Sequence, residues 1–327
     1  MPARAVAPDG RYLLLLAGEG IILSAHVKRP HHGRARSWPR SEDAATLMNP
    51  TPFVKWAGGK KQLLAQFEPH FPAAFDRYLE PFAGGGAVFF YLYRQGRLDG
   101  RPATLIDSLE ELINCYRVVQ SQVADLIAAL RAHEPHKQDR DYYYELRAWD
   151  RSPDYARRSD VERAARFLFL NRVCYNGLYR VNRQGQFNVP FGRHRNPTIC
   201  DEENLWAVHR ALQGVTLLVG DFERCLDLAT PGDFAYLDPP YHPLSETAHF
   251  TSYTARDFGA QDQRRLARLF RALDRRGCHL MLSNSNTDLV RELYAGYEQV
   301  PILAARAINA RATGRGAIGE LLIMNSL

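Results

Sequence analysis

Between residues 53 and 107 short apolar runs alternate with glycine-rich turns and helical stretches, a pattern that predicts successive βα units. From about residue 120 to 212 apolar positions recur at helical spacing, as over 163–170, and then give way to an irregular stretch rich in Gly, Asn and Pro. Short strands return at 215–219, 234–237, 279–282 and 320–324, with helices such as 260–276 between them. Two βα-rich segments, 48–120 and 213–327, predict one α/β sheet assembled from both, and residues 121–212 read as a mostly helical insert projecting over it.

Composition changes this picture little. The chain has 327 residues, 46% hydrophobic and 24% charged, the make-up of an ordinary globular protein. Its five cysteines (Cys115, Cys174, Cys200, Cys225, Cys278) form no CxxC pair and stand beside no histidine cluster at zinc spacing. Neither a disulfide framework nor a metal site is expected; reduced thiols in a cytoplasmic protein are. Residues 1–47 read as a disordered basic tail, or a misassigned leader ahead of Met48. The apolar stretch 12–24 is interrupted by Glu19 between two glycines, and either half is too short to span a bilayer, so no membrane partner is expected. The net charge of +6 matters through its distribution: the tail carries +3, the rest of the chain +3, and 171–195 alone +5.

Two segments carry candidate chemistry. Leu79-Glu80-Pro81-Phe82-Ala83-Gly84-Gly85-Gly86-Ala87 reads as the end of a strand running into three glycines and a helix, where backbone can approach a ligand that any Cβ would repel. Asp107 ends the next apolar run roughly twenty residues on, where an acid can hold two ribose hydroxyls, so the pair points to an adenosine-containing cofactor. No phosphate-cradling GxxxxGK[ST] loop is present. Asp238-Pro239-Pro240-Tyr241 follows the apolar run 234–237 and so falls at a strand's carboxyl end, where α/β sheets keep their active sites. The lone pair of a planar exocyclic amine is delocalised into its ring. A carboxylate and a backbone carbonyl, here Asp238 and Pro239, can accept its two hydrogens, and Tyr241 offers a face on which a base can stack. Within 171–195 five arginines (Arg172, Arg180, Arg183, Arg193, Arg195) and no acid are interleaved with Tyr175, Tyr179, Phe187 and Phe191, a pattern suited to DNA, with guanidinium groups for guanine edges and rings for stacking. A second basic loop, 306–315, suits phosphate contact.

The chain resembles the Dam-type DNA adenine methylases over most of 53–325, on four stretches: Phe53-Val54-Lys55-Trp56-Ala57-Gly58-Gly59-Lys60, the Glu80 to Gly86 segment, residues 171–193, and the span from Asp238 to Tyr253. The resemblance implies a Rossmann-like methyltransferase sheet with an inserted DNA-recognition domain, S-adenosylmethionine as cofactor and double-stranded DNA as partner, with no metal and no obligate protein partner. It implies methyl transfer to adenine N6, at GATC, with the base flipped from the duplex. Asp238, Pro239, Pro240 and Tyr241 would be the catalytic residues. Trp56, Lys60, Glu80, Pro81, Phe82, Gly84, Gly85, Gly86, Asp107, Asp221, Phe222 and Asp238 would line the cofactor pocket. Lys55 and Arg180 would meet guanine edges, Tyr175 would enter the base stack, Leu178 and Pro190 would touch thymine, and Arg172, Asn176, Asn182 and Arg183 would lie at the DNA. His194 would also lie at the DNA, at a position where the family often carries Tyr. Related tetrapeptides also serve RNA adenine and cytosine N4, and a non-catalytic DNA-binding regulator could keep the fold; these remain the alternatives.

Overall fold

The computed structural model describes residues 49–242, 258–305 and 317–326. The basic tail, most of the segment following Tyr241 and the second basic loop, 306–315, lie outside the described residues. In chain order the elements are α1 (Leu64–Phe67), β1 (Tyr78–Glu80), α2 (Ala87–Arg94), β2 (Ala103–Asp107), then five helices, α3 (Glu110–Ser121), α4 (Val123–His133), α5 (Arg140–Ala148), α6 (Asp160–Val173) and α7 (Glu202–Ala211). They are followed by β3 (Thr216–Val219), α8 (Arg224–Leu228), β4 (Phe234–Leu237), α9 (Ala260–Arg275), β5 (His279–Ser285), α10 (Asp288–Leu293), β6 (Glu298–Ala305) and β7 (Ala317–Met324).

The strands form one sheet in the order β3-β2-β1-β4-β5-β7-β6. The first five are parallel, and β7 runs antiparallel to both of its neighbours. Chain order runs outward from β1 through β2 to β3 on one side and from β4 to β5 on the other. The strand order therefore reverses between β1 and β4, and a crevice is expected at their carboxyl ends. This is the α/β sheet that the resemblance implied.

Both faces of the sheet are covered, and alternate residues along a strand serve opposite cores because successive side chains point to opposite sides. Phe234 and Tyr236 face one core, which continues through α2 into the buried faces of α3, α4, α6 and α7. Ala235 and Leu237 face the other, filled by Leu266, Leu269, Phe270 and Leu273 of α9 with Val290 of α10. The helices between β2 and β3 thus share one continuous apolar cluster with the sheet. Helix α6 begins at a capping box, in which the Ser159 hydroxyl accepts from Glu162 N and the Glu162 carboxylate accepts from Ser159 N.

Most expected strands and helices appear within a residue or so, and the differences have causes. β5 runs on through Ser283, Asn284 and Ser285, polar residues at which an apolar-run reading stops but which are buried. β7 begins three residues before the expected start. β6 was not expected at all: Pro301 interrupts its pattern, and a proline is tolerated there because β6 is an edge strand. All five thiols are unpaired, four of them buried. No helix among the described residues is long and apolar enough to cross a membrane.

One fully buried carboxylate ties the amino-terminal ends of β1 and β4. Asp233 accepts from Arg77 Nε at 3.0 Å, Arg77 Nη2 at 2.7 Å and Thr230 N at 2.7 Å. Asp233→Ala should therefore lower unfolding free energy by about 2–3 kcal/mol, the scale of losing charge-assisted hydrogen bonds from a guanidinium that can rehydrate, read as an earlier urea midpoint with unchanged slope.

Candidate active site

The glycine turn between β1 and α2 is shaped by contacts that leave no room for side chains. Gly84 has φ +47 and Gly86 φ +66; a Cβ would fall 2.8 Å from the Trp56 indole at the first and 2.7 Å from Tyr116 Oη at the second. The Tyr116 hydroxyl donates to the Gly84 carbonyl at 3.1 Å, and Gly84 N donates to Asp107 Oδ2 at 3.0 Å. The acid ending β2 is thus bonded to the turn following β1. Asp107 Oδ1 accepts from Leu109 N, and burial pushes its carboxyl above the usual range.

These groups open onto a cavity of about 850 Å³. Every residue expected in the cofactor pocket lines it: Trp56, Lys60, Glu80, Pro81, Phe82, Gly84, Gly85, Gly86, Asp107, Asp221, Phe222 and Asp238, together with Pro239, Pro240 and Tyr241. Phe82 and Phe222 stack with ring centroids 5.3 Å apart, and Phe258, which the sequence reading did not include, packs against both. Asp221 Oδ1 accepts from Glu223 N and from Arg265, whose guanidinium also pairs with Glu223 and Asp262 and lies 4.8 Å from the Phe222 ring centroid.

Asp238 follows β4 into this cavity with Lys60 Nζ 2.8 Å from its Oδ1. Burial raises its carboxyl to about 6, against the opposing pull of Lys60 and with Glu320 adding to the rise. Glu80 is pushed up to about 8, chiefly by burial, although the Tyr78 hydroxyl donates to its Oε2 at 2.9 Å. At neutral pH Glu80 is then mostly protonated while Asp238 is mostly ionised.

The tetrapeptide itself is held from behind by residues that sequence reasoning missed. Gln263 Nε2 donates to the Pro240 carbonyl at 3.0 Å, and Asn284 Nδ2 donates to Gln263 Oε1 at 2.9 Å. Ser285 Oγ donates to the His242 carbonyl at 2.7 Å, and Tyr241 Oη donates to Glu320 Oε2 at 2.6 Å. The available signal was the polar Ser-Asn-Ser run continuing an apolar strand. Among the described residues no hydrogen bond is made to the Pro239 carbonyl.

The basic segment 171–195 lies beside Lys55 and Trp56. Asn171 grips the Lys55 backbone, accepting from its N at 2.8 Å and donating to its carbonyl at 2.9 Å, and a Cβ on Gly177 would come 2.4 Å from Lys55 Cδ. Tyr175 N donates to the Pro190 carbonyl at 2.9 Å, and His194 Nε2 lies 3.0 Å from the Cys174 carbonyl oxygen, so the two ends of the segment meet. Tyr175, Asn176, Arg180, Arg183 and Pro190 are exposed, and Leu178 is half-buried. Of the four interleaved aromatics Tyr175 alone is exposed; Phe187 is buried, Phe191 packs against the core, and Tyr179 stacks between Trp56 and Phe167. The expected row of stacking surfaces therefore reduces to one, because the other rings hold the segment to the body. Arg172 donates to the Phe53 carbonyl at 2.9 Å, and Asn182 spends its side chain on Gln184 N, Gln186 N and Gln186 Oε1 inside a tight loop. None of the expected DNA residues lines the cavity. Among the described residues no His, Cys, Asp and Glu cluster is arranged to hold a metal ion.

Residues 56–308 match the family model for D12 class N6 adenine-specific DNA methyltransferases. The chain is 44% identical to a type II methyltransferase of Methanocaldococcus jannaschii, covering 85% of this chain and 100% of that protein. It is 43% identical to a type II methyltransferase of Lactococcus lactis, over 85% of this chain and 96% of that protein. It is 34% identical to the DNA adenine methylase of Escherichia coli, over 83% of this chain and 94% of that protein.

The chain of bonds from Asn284 through Gln263 to Pro240 should behave as a unit. Gln263→Leu and Asn284→Ala should each destabilise the fold by about 1–3 kcal/mol. Their double variant should fall short of the sum by at least about 0.5 kcal/mol in a urea double-mutant cycle, whereas additive losses would mean that the two amides act independently.

Proposed function

Because the chain belongs to the D12 class of N6 adenine-specific DNA methyltransferases, we propose that it transfers a methyl group from S-adenosylmethionine to an adenine turned out of duplex DNA, at GATC. The carrying observation is that Asp238-Pro239-Pro240-Tyr241, the glycine turn and Asp107 open onto one cavity of about 850 Å³, the size of a small-molecule site. The residues present suit the donor. Each Asp107 oxygen accepts one backbone N–H and keeps capacity for a ribose hydroxyl. The Phe82, Phe222 and Phe258 rings make a wall for an adenine, and Asp221 Oδ2, which takes no hydrogen bond from a described residue, can accept from an exocyclic amine. When bound, S-adenosylmethionine supplies an electrophilic methyl on a sulfonium and leaves as a neutral thioether.

Within this reading the chain's own groups orient an amine and receive a proton. N6 lies in a paired and stacked base, so the adenine must leave the duplex to reach Asp238. Asp238 and the Pro239 carbonyl accept the two N–H groups, which turns the nitrogen lone pair out of the ring plane. Once the N–C bond forms, Asp238 takes the proton that the nitrogen must lose, a transfer suited to a carboxyl near 6. Tyr241 is held by Glu320 and lines the cavity, where its ring, with the Lys60 ammonium 4.8 Å from the centroid, would stack on the base.

Residues 48–120 and 213–327 then form the catalytic body and 121–212 the target-recognition part. Support comes from the exposed Tyr175, Asn176, Arg180, Arg183 and Pro190 gathered near Lys55 and Leu178; Trp56, the sequence neighbour of Lys55, lines the cavity. Arg172, Asn182 and His194 are engaged inside the protein and would shape this face instead of reading bases.

Two measurements test the proposal. Asp238→Ala should cut single-turnover methyl transfer by about a hundredfold or more while cofactor and DNA binding persist; retention of more than about a tenth of the rate would sink the assigned role. Arg180 is exposed, and among the described residues its guanidinium bonds only through Nε to Asn188, which leaves four N–H donors for a guanine edge. Arg180→Ala should relax preference at one base pair of GATC by about 1–3 kcal/mol, measured on duplexes substituted at each position; uniform slowing would reassign it to phosphate contact.

A further inference from the structure

The aromatic and acidic wall of the cavity comes from two parts of the chain, the turn between β3 and α8 and the residues leading into α9, and one guanidinium joins them. Arg265, on the second turn of α9 and lining the cavity, donates through Nη2 to Asp221 Oδ1 at 2.9 Å and to Glu223 Oε2 at 2.8 Å, and through Nε to Glu223 Oε1 at 3.3 Å. Its Nη1 donates to Asp262 Oδ1 at 3.1 Å, while Asp262 Oδ2 accepts from the N–H of Gly259, the residue after Phe258. The same guanidinium lies 4.8 Å from the Phe222 ring centroid. Contacts that set Asp221, Phe222 and the approach to Phe258 thus converge on Arg265.

Stability does not account for this convergence. The Asp221 and Glu223 side chains are each half exposed, and ion pairs in such surroundings contribute little to folding. What the cation does is let three carboxylates share one edge of the cavity. Without it Asp221, Glu223 and Asp262 repel one another, and Asp221, whose remaining bond among the described residues is from Glu223 N, is free to turn toward solvent. With it, Oδ1 carries two donors, and Oδ2, which accepts from no described residue, remains as an acceptor. We propose that Arg265 is a positioning residue for the base of the methyl donor: its guanidinium fixes Asp221 Oδ1, leaves Oδ2 to accept from the exocyclic amine, and so sets the preference for an adenine over a purine that lacks that amine. The inference rests on the reading of this cavity as the methyl-donor site. An arginine suits the task because a planar fork meets three carboxylates at once, whereas an ammonium is a point charge.

The test measures, by calorimetry on the full-length protein, affinity for S-adenosylhomocysteine and for S-inosylhomocysteine, its counterpart with a carbonyl oxygen in place of the amine. It compares wild type, Arg265→Met, Arg265→Lys, Asp221→Ala and the double variant of Arg265→Met with Asp221→Ala. Wild type should prefer S-adenosylhomocysteine by about tenfold or more, the scale of one hydrogen bond to a charged acceptor. Asp221→Ala, Arg265→Met and Arg265→Lys should each cut that preference to about threefold or less, chiefly through weaker binding of S-adenosylhomocysteine. A general loosening of the wall would weaken both ligands alike and leave their ratio standing, and that result in the Arg265 variants overturns the proposal. The double variant should bind S-adenosylhomocysteine within about threefold of Asp221→Ala alone, because Arg265 acts through Asp221; a further loss of about tenfold would make Arg265 a direct contact and overturn it as well. If Arg265→Met does not fold, Arg265→Lys decides by the same ratio. A wild-type protein without the preference, or an Asp221→Ala that keeps it, would instead overturn the assignment of Asp221 to the donor base, and the role of Arg265 with it.

Discussion

A carboxylate placed at the end of a fully buried strand must give up most of its water, and the construction around Asp238 answers that constraint. Left alone, the group would take up a proton and lose its capacity to accept from an amine. Lys60 opposes this with an ion pair at 2.8 Å, yet the value remains near 6, so the compensation is partial. Partial compensation suits the proposed chemistry. A carboxylate with a very low value would be ionised at any pH of interest but a weak proton acceptor, and one with a much higher value would be protonated before the reaction began.

Holding the carboxylate is only half of the problem, because the peptide that carries it lies on a connection leaving the sheet. The Pro239-Pro240 pair removes two N–H groups and fixes two φ angles, which narrows the conformations available but bonds the segment to nothing. Bonding comes from β5 and α9. Asn284 and Gln263 are both completely buried and reach Pro240 through a chain of amide hydrogen bonds, while Ser285 donates to the His242 carbonyl. β5 continues three polar residues past its apolar run, and two of those side chains hold the crevice in this way. Glu320 lies opposite Ser285 in the register of β5 with β7, so the antiparallel strand supplies the partner of Tyr241 from the same end of the sheet.

How much the sequence revealed depends on the range of each interaction. The glycine turn, Asp107 and the Asp238 tetrapeptide each sit at the end of a short apolar run, and a local pattern of that kind fixes both the strand and the place where it stops. The sheet's assembly from two separated segments was readable for the same reason. The pairing of Lys60 with Asp238 was not, since nothing local to either residue announces the other. β6 escaped because Pro301 breaks the alternation that marks a strand, and the proline is compatible only with an edge position that local sequence does not reveal. The aromatics of 171–195 show the opposite limit: four rings looked alike in sequence, and only packing, of Tyr179 between Trp56 and Phe167, of Phe187 on Tyr179 and of Phe191 on Tyr143, separates the exposed Tyr175 from the three that anchor the segment.

That anchoring bears on how a reading of DNA and a transfer of methyl could be joined in one event. Lys55 and Trp56 are consecutive. The first is clasped by Asn171 and packed against Gly177, and the second lies over Gly84 and stacks on Tyr179. A displacement of the 171–195 segment would be felt at Trp56 through the Tyr179 ring, and so at the glycine turn that Asp107 and Tyr116 hold in place. Lys60 lies five residues beyond Lys55 on the same stretch, at the Asp238 carboxylate. Three short contacts therefore run from the proposed base-reading face to the cavity and on to the Asp238 carboxylate. Because packed interiors resist continuous deformation, a segment built this way favours a single arrangement in which all three are correct together.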